Sequence, residues 1–168
     1  SLLVGCDSSP ENRFSAADQF PAPSEKPGLT LSACEYEKND ITYAADCGVL
    51  LVPENRSKPD SRLIPLPVRR IYSNNPNKKE PVFNLYGGPG LPNIGTRVRE
   101  KILANQDYIE VGFRGADGAT RMNCHEVGAA MIGTERAFSE QAALRMKNGS
   151  VSCLKRMQGE GFDLNGYN

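Results

Sequence analysis

The sequence has one histidine, His125, no Gly-x-Ser-x-Gly turn, no Cys-x-x-Cys pair and no formal net charge. Each lack removes a class of function. Basic and acidic residues balance at twenty each, scattered without a basic stripe, which points away from nucleic acid. No apolar run is long enough to cross a bilayer as a helix. Without Cys-x-x-Cys spacing, the five cysteines do not read as a zinc or redox site, and no metal or cofactor is implied. A serine hydrolase needs a nucleophile, a histidine to take its proton and a carboxylate to orient that histidine. The nucleophile's signature turn is missing, and His125, beside Cys124, reads as a loop residue rather than a base.

What is present begins with the other cysteines. Cys34, Cys47, Cys124 and Cys153 are spread through a chain of 168 residues, one domain's worth. Spaced cysteines of even number suit disulfides in an oxidising compartment, with buried free thiols as the alternative. Of the three possible pairings, the sequence-local one is preferred, Cys34 with Cys47 and Cys124 with Cys153. In the chain-entropy model the first bridge is worth about 3 kcal/mol.

The fifth cysteine ends Leu3-Val4-Gly5-Cys6. This stretch resembles a bacterial lipoprotein box, which implies cleavage before Cys6 and a lipid anchor on it. Residues 1–5 are then a signal remnant and residues 6–30 a tether, rich in Ser, Pro, Asn, Asp and Lys. The expected location is the bacterial cell envelope, periplasmic or extracellular, with the membrane as a partner through the anchor. Residues 31–168 form the domain.

Within the domain, order is expected from Leu31, with a buried strand at Gly48-Val49-Leu50-Leu51-Val52 closed by Pro53. Ile64, Leu66 and Val68 alternate with Pro65, Pro67 and Arg69, a strand whose prolines forbid ladder bonds on one side, so it belongs at or near a sheet edge. A third strand over 81–86 runs into a glycine turn. A helix over 96–104 and a fourth strand over 108–112 follow, and no fifth strand is expected. Residues 134–159 read as two helices broken near Asn148-Gly149.

The glycine turn, Asn84-Leu85-Tyr86-Gly87-Gly88-Pro89-Gly90, supplies bare backbone at a strand end, which suits an anion. A dinucleotide fingerprint fails at Asn93, which stands where the third glycine should be. A phosphate loop fails at Thr96-Arg97, where lysine should follow Gly95. An oxyanion site for acyl transfer, built from backbone N–H groups, remains beside a plain structural turn.

Four stretches in order resemble the tripeptidyl-aminopeptidase-like and prolyl-aminopeptidase-like branch of the α/β-hydrolases. They are CGVLLVPENRSKP from Cys47, IPLPVRRI from Ile64, PVFNLYGGPG from Pro81 and YIEVGFRGADG from Tyr108. NCHEV from Asn123 and GFDLNGYN from Gly161 continue the likeness. The resemblance implies an α/β fold, the N-terminal portion of an α/β-hydrolase sheet: an antiparallel first pair, then strand, glycine turn, helix and strand, stopping before the nucleophile elbow. It implies that Gly87 and Gly88 belong to the oxyanion-hole turn, with Gly88 as donor, and that Arg114 and Gly115 keep a structural turn whose leading acid is lost. Tyr86 stands where prolyl aminopeptidases usually have histidine. The expected function is the N-terminal part of a secreted or envelope serine peptidase that releases residues from peptide N-termini. The peptide substrate and the remainder of the hydrolase domain are then its partners, and the third strand has an open apolar edge. The alternative is a non-catalytic envelope lipoprotein that uses the scaffold for binding or assembly.

Overall fold

Asn39 and Asp40 make the first sharp turn in the computed structural model, which describes residue 20 and residues 25–88, 90–95, 98–133 and 139–167. Both residues hold positive φ, 52° and 61°. Asn and Asp tolerate this left-handed conformation, and two such residues close a hairpin whose twist matches its strands. The turn joins β1 (Gly28–Lys38) to β2 (Ile41–Pro53), antiparallel in register from Gly28↔Leu51 to Lys38↔Ile41. The first strand among the described residues thus begins at Gly28, with Leu31 inside it, and the strand expected at Gly48 begins at Ile41. A disulfide ties Cys34 of β1 to Cys47 of β2, Cα to Cα 5.7 Å.

β3 (Leu63–Ile71) lies inside the sheet, antiparallel to β2 and to β5 (Gln106–Val111). Its edge character is local. Only Val68–Ile71 pair with β5, so Pro65 and Pro67 lie beyond that ladder, where their missing N–H groups leave no bond unmade. Pro67 still offers its carbonyl, which accepts from Gly112 N–H at 2.8 Å. Among the described residues β4 (Lys79–Asn84) pairs only with β5, in parallel.

The α/β-hydrolase class expected from the motifs is corrected by this sheet. Five strands run in the order β1-β2-β3-β5-β4, with three antiparallel neighbours and one parallel pair. The architecture is a mixed, mostly antiparallel sheet, richer in strand than the expected fold. Two physical causes account for the difference. The Asn39-Asp40 hairpin adds a long strand that the glycine and proline punctuation did not announce. Among the described residues the helix expected over 96–104 is shorter, α1 (Glu100–Leu103); Thr96 and Arg97 lie outside the described residues.

One side of the sheet buries Tyr36, Ala45, Ile71, Leu103 and Tyr108 together. Ile64 and Ile71 are fully enclosed, each contributing about 1.5–3 kcal/mol by burial. Beyond the sheet, α2 (His125–Met131) packs on α3 (Glu140–Gly159). Ser139 caps α3, its Oγ accepting from Ala142 N–H at 3.1 Å. The expected break near Asn148-Gly149 is absent; α3 is continuous there. Gly149 is buried instead, and a Cβ on it would stand 2.9 Å from Glu126 O and 3.0 Å from Val127 Cα. The glycine lets two helix backbones approach. The second disulfide, Cys124–Cys153, fastens the start of α2 to the same helix.

Candidate functional site

The glycine turn leaves the C-terminal end of β4, and its shape is set by two buried side chains downstream. Asn93 is wholly enclosed. Its Oδ1 accepts from Tyr86 N–H at 2.8 Å and from Asn84 Nδ2 at 3.2 Å. Its Nδ2 donates to Asn84 O at 2.8 Å and to Val111 O at 2.9 Å. One amide therefore binds the start of the turn to the ends of both parallel strands. Asp117 does the same from the next loop, its carboxylate accepting from the N–H groups of Asn93 (2.8 Å), Ile94 (3.3 Å) and Phe113 (2.8 Å). The loop after β5 lacks the leading acid of the motif it resembles. Asp117, inside the loop, takes up the Phe113 N–H.

Under the far limb lies a second buried group. Glu110 Oε2 accepts from Gly95 N–H at 3.1 Å and from Arg69 Nη1 at 3.3 Å. Burial raises the Glu110 carboxyl above its ordinary range against the lowering effects of the Gly95 N–H and Arg69. The Arg69 guanidinium lies 3.9 Å over the Tyr36 ring. Lys38 Nζ donates to Gly95 O at 2.9 Å.

At the tip, Gly88 O accepts from Leu91 N–H at 3.0 Å. Gly87 and Gly90 hold φ of 138° and 79°, where side chains are strained; Gly87 also lies against the Phe113 ring. Pro89 lies outside the described residues. Gly88 borders a cleft of about 690 Å3 whose wall includes Leu91, Phe113, Met122 and Tyr167 and whose charged lining residues are Arg56 and Arg114.

Arg114 and Gly115 form the facing wall. Arg114 donates to three carbonyl oxygens, those of Glu54 (3.0 Å), Gly166 (3.0 Å) and Pro53 (3.2 Å), and so holds β2 and the C-terminal turn together. Gly115 has φ 71°, and a Cβ there would lie 2.8 Å from Met122 Sδ. Behind them Glu54 is buried, gripped by Arg62 through two bonds of 2.6 Å and by the Tyr167 hydroxyl at 2.8 Å. Burial alone would raise the Glu54 carboxyl; these donors outweigh it and hold the group below its ordinary range. Tyr167 is pushed up to about 12 by burial and by Glu54.

His125 is remote from such chemistry in kind. Its side chain is 69% exposed, with Glu126 Oε1 3.7 Å from Nε2. Glu126 belongs to Arg156, which donates to it at 2.5 Å. Asn55, which begins a glycosylation-like Asn-Arg-Ser triplet, is buried with its amide donating to Asp163 at 2.9 Å. Among the described residues no cluster of His, Cys, Asp and Glu is suited to a metal ion. Cys6 and most of the tether lie outside the described residues.

The turn and its glycines were readable in the sequence. Asn93 and Asp117 carry no sequence signal as site residues, because most of their partners lie in other segments; by sequence Asn93 is only a missing glycine, and Arg56 is one more surface charge. No family model and no curated protein sequence matches the chain. The two disulfides fit an oxidising, extracytoplasmic compartment, and among the described residues no helix is long and apolar enough to cross a membrane.

Proposed function

We propose that this chain forms the oxyanion-stabilising wall of an extracytoplasmic serine hydrolase, a peptidase that releases residues from peptide N-termini. The observation that supports it is Gly88, a backbone donor at the rim of a cleft, on a turn held by Asn93 and Asp117. Fixed donors aimed at a developing negative charge are worth more than mobile ones, because no reorganisation accompanies the reaction. The serine, its histidine and the orienting acid come from polypeptide other than the described residues, and the chain by itself does not cleave peptides. Cys6 carries a lipid that holds the protein at the bacterial envelope. Its Cys6→Ala variant then moves from the detergent phase to the aqueous phase on Triton X-114 partition.

A second reading, a non-catalytic envelope lipoprotein, is favoured by one feature. The charged residues of the cleft are both arginines, which bind anions but do not act as bases at neutral pH. A fluorophosphonate probe on the intact protein, isolated from its native envelope, separates the two. Labelling of a serine supports the hydrolase. A folded protein that takes no label leaves the binding role.

A further inference from the structure

The geometry points to the cleft beside Gly88 as a carboxylate-recognition site, with Arg56 as its specificity residue for short peptides or acylated amino acids ending in a free carboxylate. Calling that ligand a substrate rests on the hydrolase reading; the binding itself does not. The cleft is lined by two arginines and no carboxylate. Arg114 is occupied by three carbonyl oxygens, so its charge is not neutralised by an acid. Arg56 is exposed and, among the described residues, has no acceptor and no acidic partner.

Arg56 is also held in place by its neighbours. Asn55, buried beside it, accepts from Ser57 N–H at 3.0 Å and donates to Asp163 at 2.9 Å through its side chain, and its backbone N–H donates to Ser61 Oγ at 2.8 Å. The turn that carries Arg56 is thus fixed to the C-terminal segment, and its guanidinium is left for a ligand. Nearby acids are already committed: Glu54 to Arg62 and Asp163 to Lys58. A planar guanidinium suits a carboxylate through two parallel bonds. Leu91, Phe113 and Met122 line the same cleft, giving an apolar wall for the side chain next to that carboxylate. A subsite for a peptide's amino terminus would present an acid, so in a peptidase acting on N-termini this cleft takes the opposite, carboxylate end of a short peptide.

The test uses the intact protein and two probes, N-acetyl-phenylalanine and N-acetyl-phenylalaninamide, which differ in the terminal charge and lack the free amine that an aminopeptidase needs. Calorimetric titration should show the acid binding about tenfold more tightly than the amide, the scale of one charge-assisted pair. Arg56→Gln should make the two equal, and a chemical-shift map should place the acid beside Gly115 and Met122. Equal binding of both probes to the unaltered protein, binding of neither, or a preference that survives Arg56→Gln overturns the assignment. So does displacement of the acid by an equal concentration of inorganic phosphate, which marks a general anion site. The preference without fluorophosphonate labelling would keep the binding site and remove the word substrate. Labelling without the preference would remove the inference and keep the hydrolase.

Discussion

Asn93 and Asp117 show how much a single buried side chain can specify. Each binds groups on separate loops, so truncating either leaves several enclosed polar groups without partners, at a cost of about 2–4 kcal/mol. Asn93→Ala is expected to lower the urea midpoint accordingly, whereas Glu35→Ala, at an exposed position of β1, should leave it nearly unchanged. Equal midpoints for the two would contradict the role given to Asn93. The sequence could not show this clasp: an asparagine after Leu91-Pro92 reads only as a missing glycine of the dinucleotide pattern, and its amide acquires its role only when β4, β5 and the next loop have closed around it.

At the same scale, Glu126 gives the molecule an acid-sensitive contact. The hydrogen bonds from Arg156 hold its carboxyl down to about 2 from an ordinary 4.5. Because the folded value lies below the unfolded one, the stabilisation is fully present above about 4.5 and is lost as pH falls toward 2. Thermal midpoints followed from pH 5 to 2 should therefore fall more steeply for the unaltered protein than for Glu126→Gln, and parallel curves would contradict the pairing.

Among the elements, the glycine and proline signals were legible in place but ambiguous in meaning. Pro65 and Pro67 correctly forbid a ladder on one side of β3, yet the strand is interior, because β5 pairs only with its other half. Gly149 can break a helix or let one approach another, and sequence spacing does not choose between them. Here it faces Glu126 and Val127. Gly149→Ala is expected to destabilise by about 1–3 kcal/mol despite alanine's higher helix propensity, read by chemical denaturation. A stabilised variant would mean that α2 does not pack on α3 in this way. β1 carries little signal in the sequence because its hairpin uses Asn39-Asp40, without the glycine that usually marks such turns.

For the molecule as a whole, the open side of β4 matters most. The strand ends one side of the sheet, and Phe83 and Leu85 there are 60% and 78% exposed. An exposed apolar edge pairs readily with another strand, so the isolated chain is expected to self-associate in sedimentation experiments and Phe83→Lys to reduce that association. A chain that stays monomeric with Phe83 in place would show that the edge is not adhesive. The glycine turn follows directly from this strand, so a strand added at this edge would also approach the cleft.

The most direct test of the account compares Gly88→Pro with Gly88→Ala in the intact protein. Proline removes the N–H; alanine keeps it, and its Cβ would meet only Leu91 Cδ1 at 3.8 Å. If Gly88 N–H stabilises the oxyanion, kcat on a peptide substrate should be about 10²–10³ lower for the proline variant than for the alanine variant, with both equally folded by circular dichroism. Equal kcat in the two folded variants would contradict the role assigned to the glycine turn.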